Sequence, residues 1–240
     1  PNPTNDNRSN YTFTSNEAGT ITYGGSCSSS SNDNKSVVGN NTITFNALPD
    51  GTYDNCTITV TDNASNPITQ SVTSFTIDTT APTLNEVTAV PNPTSDNTSD
   101  YTFSSDEIGT ITYGGDCSSS SNDNKSVVGD NTITFNALAD GAYSNCKISV
   151  TDNASNTSDN LTVSEFTIGA TKPALAEVTA VPNPTNDNRS NYTFFSTLSG
   201  TINYSGDCSS SSNDNLSAAM DNNTIIFNPL AEGTYDNCTI

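Results

Sequence analysis

The chain has 240 residues, 31% of them apolar, with 26 Asp and Glu against six Lys and Arg and a formal net charge of −20. Six cations cannot neutralise a phosphate track, which argues against nucleic acid as a partner, and no run of about 18 apolar residues is present to span a membrane as a helix. Low hydrophobicity with high charge can signal disorder, but the apolar residues fall in short alternating clusters, which predicts thin cores beneath polar surfaces.

Laid on itself, the sequence matches at a shift of 90. Pro1-Asn2-Pro3-Thr4 recurs as Pro91-Asn92-Pro93-Thr94 and, one residue late, as Pro182-Asn183-Pro184-Thr185. Residues 19–48 and 109–138 differ only at Ser26/Asp116 and Asn40/Asp130. Three copies are expected, over 1–78, 79–169 and 170–240. The first begins after the segment that precedes Pro-Asn-Pro elsewhere and so lacks a first strand, and the third stops before its last one. The chain therefore reads as a window on a longer array.

Copy two gives the predicted elements in order. Leu84 to Val90 is a short strand ended by Pro91-Asn92-Pro93. Tyr101-Thr102-Phe103 sets two aromatics on one face, the period-2 sign of a half-buried strand. Gly109 to Tyr113 repeats the pattern with Ile111 and Tyr113 inward. After a Ser/Asn/Asp loop come Val127-Val128, then Asn131 to Phe135. A strand from Tyr143 to Val150 places Cys146, Ile148 and Val150 together, and Val163 to Ile168 closes the unit. Short strands split by turn-rich segments over about 90 residues describe an all-β fold, a seven-stranded antiparallel β-sandwich. Outward Thr fits β propensity, which competes with ice or sugar binding as an explanation. The copies differ by one residue after Asn153 and near Met220, both expected to fall in loops.

The cysteines are Cys27, Cys56, Cys117, Cys146, Cys208 and Cys238, two per copy. Recurrence predicts Cys27–Cys56, Cys117–Cys146 and Cys208–Cys238. Zinc competes, but two thiols per copy and no His make a poor tetrahedral site. Each bridge should tie the end of the third strand to the penultimate strand. Persistent disulfides imply an oxidising compartment, so the protein is expected to be extracellular, on a cell surface or in a filament.

Leu138-Ala-Asp-Gly-Ala-Tyr143-Ser-Asn-Cys146 looks like the tyrosine-corner approach of immunoglobulin-like domains. With Val150-Thr-Asp-Asn-Ala-Ser155 and the linker Asp78-Thr-Thr-Ala-Pro82, the chain resembles the bacterial immunoglobulin-like repeats of large surface adhesins over essentially its whole length. The resemblance implies tandem Ig-like sandwiches forming a stiff, often calcium-stiffened stalk that projects an adhesive end. A disulfide in every repeat and a degenerate second linker depart from the usual pattern and leave calcium use open.

Catalysis is not expected. There is no His, and serine runs such as Ser118 to Ser121 have no base to activate them. Calcium is the candidate cofactor, because Asp/Asn loops supply the six to eight oxygens it takes. In an Ig-like sandwich the entering linker lies near the second-to-third strand loop and the last hairpin loop. That predicts Asp78, Asp106, Glu107, Asp152 and Asn153 as ligands. At the next junction Asp78 becomes Gly169, Ala81 becomes Lys172, and Asp106-Glu107 becomes Thr197-Leu198, a paired loss expected of shared ligands. Solvated acidic loops that drifted separately are the alternative. A second group, Thr94-Ser95-Asp96-Asn97 with Asn122-Asp123-Asn124, reads as a further cation site or as Asx turns. Sequons at Asn10, Asn97, Asn153 and Asn191 mark possible glycosylation.

The expected function is a structural stalk or spacer whose partners are neighbouring repeats and, in a fibre, identical chains. The alternatives are a filament subunit completed by strands from other chains, or a carbohydrate-binding module.

Overall fold

In each repeat, segments rich in Thr, Ile, Val and aromatics alternate inward and outward, and turns of Asn, Asp, Ser and Gly separate them. The computed structural model describes all residues except 1, 31, 32, 121–123 and 211–215. Asn122 and Asp123 therefore lie outside the described residues. Every named element among the described residues is a β-strand. Chain contacts define two compact units, Pro1–Ala170 and Thr171–Ile240.

Repeat 1 contains Asn10–Ser15 (β1), Gly19–Gly24 (β2), Lys35–Ser36 (β3), Gly39–Thr44 (β4), Gly51–Tyr53 (β5), Thr57–Asp62 (β6), Pro67–Ser71 (β7) and Phe75–Ile77 (β8). Repeat 2 contains Leu84–Thr88 (β9), Asp100–Ser105 (β10), Gly109–Gly114 (β11), Lys125–Ser126 (β12), Gly129–Thr134 (β13), Gly141–Tyr143 (β14), Lys147–Asp152 (β15), Leu161–Thr162 (β16) and Phe166–Ile168 (β17). In repeat 2 one sheet runs β13-β10-β9, a second runs β12-β11-β15-β16, and β14 pairs with β17; all these ladders are antiparallel. Repeat 1 has β3-β2-β6-β7, β5-β8 and β1-β4. Thr4 and Thr94, after the Pro-Asn-Pro turns, make parallel bridges to Ile77 and Ile168.

Unit 171–240 contains Leu175–Thr179 (β18), Asn191–Ser196 (β19), Gly200–Thr201 (β20), Ser217–Ala218 (β21) and Asp221–Ile226 (β22). Its sheets are β18-β19-β22 and β20-β21.

Among the described residues the buried apolar side chains form three separate cores. That of repeat 2 joins Tyr101, Phe103 and Ile133 from one sheet to Ile111, Ile148 and Val150 from the other, with Phe166 and Ile168. The first repeat is centred on Phe45, Ile58 and Ile77, the third on Phe194, Ile225 and Phe227. Cys27–Cys56, Cys117–Cys146 and Cys208–Cys238 are all bridged, with Cα–Cα separations of 5.1 to 5.2 Å. Cys117 lies just past β11 and Cys146 just before β15, neighbours in one sheet. In repeats 1 and 2 the bridge thus closes the end of a ladder, and in the third it lies beside the isolated Ser205–Thr239 bridge.

Three strand expectations need correction. The run Tyr143–Val150 is two strands in different sheets, because the chain crosses over at 144–146. There the Asn145 carbonyl stands 2.0 Å from where a Cβ on Gly115 would sit, and Asn145 Oδ1 accepts from the Asp116 amide. Gly115 has φ +75°, so only glycine fits this turn. Gly25 under Asn55 and Gly206 under Asn237 repeat the lock. The run Val163–Ile168 shortens to β17 at Phe166–Ile168, because residues 163–165 form no strand and the preceding β16 ends at Thr162.

The third correction concerns Val127 and Val128, which are not a strand. They stand 55% and 66% exposed beside β12. Asn131 organises that turn, accepting from Val127 N and donating to Val127 O and Gly129 O. The inserted residue after Asn153 also falls in an edge strand, not a loop. Repeat 1 has the five-residue β7, whereas repeat 2 has a Thr151–Thr157 bridge and then the two-residue β16.

The outward Thr rows form hydrogen-bonded cross-strand pairs, among them Thr12–Thr42, Thr59–Thr69, Thr102–Thr132 and Thr193–Thr224, each an ordinary contribution to sheet stability. The insertion near Met220 does fall in a turn, and it leaves Asp221 at φ 115°, where Gly39 and Gly129 have φ 101° and 97°. A side chain is strained there. Asp221→Gly should stabilise unit 171–240 by about 1 kcal/mol. Calorimetry will show a higher midpoint for that unit, unless the Asp221 bond to the Asn222 amide offsets the gain.

Candidate metal centre

The linker 78–83 leaves β8 directly, so Asp78 is fixed by what holds β8. Its amide donates to Thr4 O and its carbonyl accepts from Asn156 Nδ2. Glu107 occupies the turn between β10 and β11, where the Ser105 hydroxyl bonds both its amide and its carbonyl. Asp152 ends β15 and is 8% exposed. Its two carboxylate oxygens accept from the Asn156 amide and from Asn156 Nδ2, each at 2.8 Å.

These three acids, distant in sequence, each bring one oxygen within 4.8 Å of the others. Like charges at that spacing repel by roughly 3 kcal/mol per pair at a near-surface dielectric, less what solvent screens. Burial, then the charges of Asp78, Asp152 and Asp106, hold the Glu107 carboxyl above its ordinary pKa. A divalent cation among them would offset that repulsion and favour the charged carboxylates. Three hard carboxylate donors on separate loops, one of them buried, suit calcium, with backbone, amide and water oxygens supplying the remainder.

Two expected ligands stand elsewhere. Asp106 accepts from the Thr83 amide at 2.6 Å, and Asn153 is exposed. The amide that does serve the cluster is Asn156. Its signal in the sequence is the Asp-x-x-x-Asn spacing, also present as Asp62 and Asn66, where the Asn66 backbone amide leads in holding the Asp62 carboxyl below its ordinary pKa.

The third repeat sharpens the contrast. Thr197, in place of Asp106, accepts from the Ala174 amide at 2.8 Å, so that substitution preserves a linker bond. The carboxylates lost without replacement are those of Asp78 and Glu107, replaced by Gly169 and Leu198.

The same linker is held from repeat 1. Asp50 accepts from Thr79 N, Thr79 Oγ1 and Thr80 Oγ1, and the Thr79 and Thr80 hydroxyls lead in lowering its pKa. Asn5 of repeat 1 also donates to Ser155 O of repeat 2.

The second acidic group, where described, consists of local turns. The Asp96 amide bonds Thr94 Oγ1, and its carboxylate accepts from the Thr98 amide and hydroxyl. Asn124 gives its carbonyl to the Ile111 amide. Of the sequons, Asn10, Asn153 and Asn191 are exposed and Asn97 is half-buried; Asn10 Oδ1 accepts from Thr44. The exposed aromatics among the described residues are Phe195 and Tyr235, which make no row.

No family model, curated protein or solved structure matches the chain. No helix among the described residues is long and apolar enough to cross a membrane.

Proposed function

We propose that this chain is a spacer segment of an extracellular, bacterial-type surface adhesin or fibre, built of tandem Ig-like repeats that supply reach and stiffness and no catalysis. The observation that carries the reading is the linker 78–83. Repeat 1 grips it through Asp50 and repeat 2 through Asp106 and Asn156, and Pro82 restricts its backbone further. A flexible tether between binding modules would need none of these bonds.

Other features support it. Tyr53, Tyr143 and Tyr235 each donate to the carbonyl four residues upstream, as a tyrosine corner does. All six cysteines are bridged and no His is present, which leaves no activated nucleophile of the common kinds. Three disulfides suit an oxidising compartment.

In this reading calcium sits among Asp78, Glu107 and Asp152 and stiffens the first junction. At 10 mM calcium a site with Kd near 1 mM stabilises by about 1.4 kcal/mol. Glu107→Gln is expected to raise the midpoint of the calcium-free chain, by removing repulsion, and to abolish the calcium-dependent rise. Calorimetry with calcium and with chelator reads both; a wild-type chain indifferent to calcium removes the metal from the proposal. The spacer reading itself is tested by pulling a single chain from its ends. Serial repeats should give way in separate force peaks, whereas one cooperative event for the whole chain would overturn it.

A further inference from the structure

Repeat 2 groups three exposed apolar side chains at one edge of its sandwich. Ile108, Val127 and Val128 are 52%, 55% and 66% exposed. The β11–β12 ladder pairs Gly109 with Ser126, and continuing that register sets Ile108 opposite Val127. Apolar residues exposed singly are ordinary, whereas contiguous ones with a polar rim mark contact surfaces. The turn that carries the valines is held firmly. Asn131 clamps it through Val127 N, Val127 O and Gly129 O, and the Ser126 hydroxyl donates to Glu107 O at 3.3 Å. A partner docking there has little backbone to order.

The rim of the patch says what fits it. Lys125 stands on the ladder with β11 and Asp130 on the ladder with β10, which belong to different sheets. The turn thus crosses from one sheet to the other with a cation on one side and an anion on the other. Both residues are exposed, and neither is ion-paired among the described residues. A two-fold axis through the turn exchanges the two sides. It therefore sets Lys125 of each chain beside Asp130 of the other. A surface that carries its own complement is isologous, the commonest kind of contact between identical chains.

The other repeats lack this combination. Repeat 1 has the same clamp, and Val37 and Val38 are 58% and 69% exposed, but Ala18 replaces Ile108 and Asn40 replaces Asp130. In the third repeat Ser199 replaces Ile108, Leu216 replaces Lys125 and Asn222 replaces Asp130. Apolar patch and paired charges occur together only in repeat 2.

We propose that the turn Lys125–Asp130, with Ile108, is a homotypic contact that seats on the same turn of a second copy of this chain. The valines and Ile108 pack across the axis, and the two Lys125–Asp130 pairs fix the register and reject other partners. Three apolar side chains per copy fall well short of the roughly 1,000 Å² that a stable dimer buries. The contact is accordingly weak, with a Kd of roughly 1 mM, and it gains strength where chains already lie alongside one another. The proposal goes beyond the spacer reading, which concerns reach along one chain and stands whether or not chains touch sideways.

Sedimentation equilibrium of the full chain, carried to concentrations above that Kd, tests it. The wild-type chain should show a reversible monomer–dimer equilibrium. Lys125→Glu alone and Asp130→Lys alone should each weaken it at least tenfold, because every attractive pair becomes a repulsive one. Mixed in equal amounts, the two variants should form a mixed dimer within about threefold of wild-type affinity, since opposite charges face again. Asp130→Lys also moves the net charge toward zero, so its weaker association separates local complementarity from general repulsion. A wild-type chain that stays monomeric throughout, single variants that associate as the wild type does, or a mixture that stays monomeric each overturns the proposal.

Discussion

Replacing Cys117 and Cys146 together by alanine is expected to cost repeat 2 about 3–4 kcal/mol, the loop-closure entropy restored to the unfolded chain. Alanine is the right replacement, because both cysteines are buried and serine would add an unpartnered hydroxyl. The 29-residue span encloses β12, β13 and β14, so the unfolded chain regains freedom over much of the repeat. Total domain stabilities are commonly about 5–15 kcal/mol, and a thin core places this repeat where such a loss matters. A mechanical signature follows as well. With the bridge intact, 29 residues cannot extend when the repeat is pulled open. Without it, each opened repeat should lengthen by about 100 Å more. Force spectroscopy with and without reductant measures that increment, and an unchanged one would mean that the bridges do not limit extension.

The other large effect should come from the aromatic stack. Phe166 is 0% exposed, with ring centroids 6.1 Å from Phe135 and 5.3 Å from Tyr143. Phe166→Ala is expected to cost about 3–5 kcal/mol, lost transfer energy plus the cavity left behind. Phe75 keeps the equivalent neighbours in repeat 1, at 5.7 Å from Phe45 and 5.3 Å from Tyr53, but is only half-buried. Phe75→Ala should therefore cost less, about 2 kcal/mol, since exposed area contributes little transfer energy. Urea unfolding read by hydrogen exchange in each repeat separates the two. Equal losses would show that the first repeat is as closed in solution as the second.

The all-β architecture, the three cysteine pairs and the inward faces of the strands were all legible from alternation and repetition. Strand ends were not. Cys146, Ile148 and Val150 alternate, but Tyr143 is out of phase with them by one residue; that phase change is the sequence's sign of the crossover between sheets, where Asn145 lies over Gly115. Val127 and Val128 look like core because they are β-branched, yet Asn131 bends the chain and turns them outward.

The candidate centre was legible in its charges: Asp78, Glu107 and Asp152 do converge. Which acids bond backbone instead was not, because Asp106 and Glu107 are adjacent and chemically alike. Only the Thr83 amide distinguishes them, and Thr197 shows that a neutral hydroxyl can take over the Asp106 bond. An amide four residues past an acid looks like ordinary loop composition, which hides the role of Asn156 in the sequence.

The lock between Gly115 and Asn145 bears on how such a protein changes length. Each repeat pairs a glycine with an asparagine at this point, Gly25 with Asn55, Gly115 with Asn145 and Gly206 with Asn237, and the bridging cysteines follow within two residues. A genetic exchange anywhere in the near-identical blocks 19–48 and 109–138 would still set a glycine beneath an asparagine and one sulfur beside another. Recombination can thus add or delete whole units, and every hybrid inherits a complete set of matched parts.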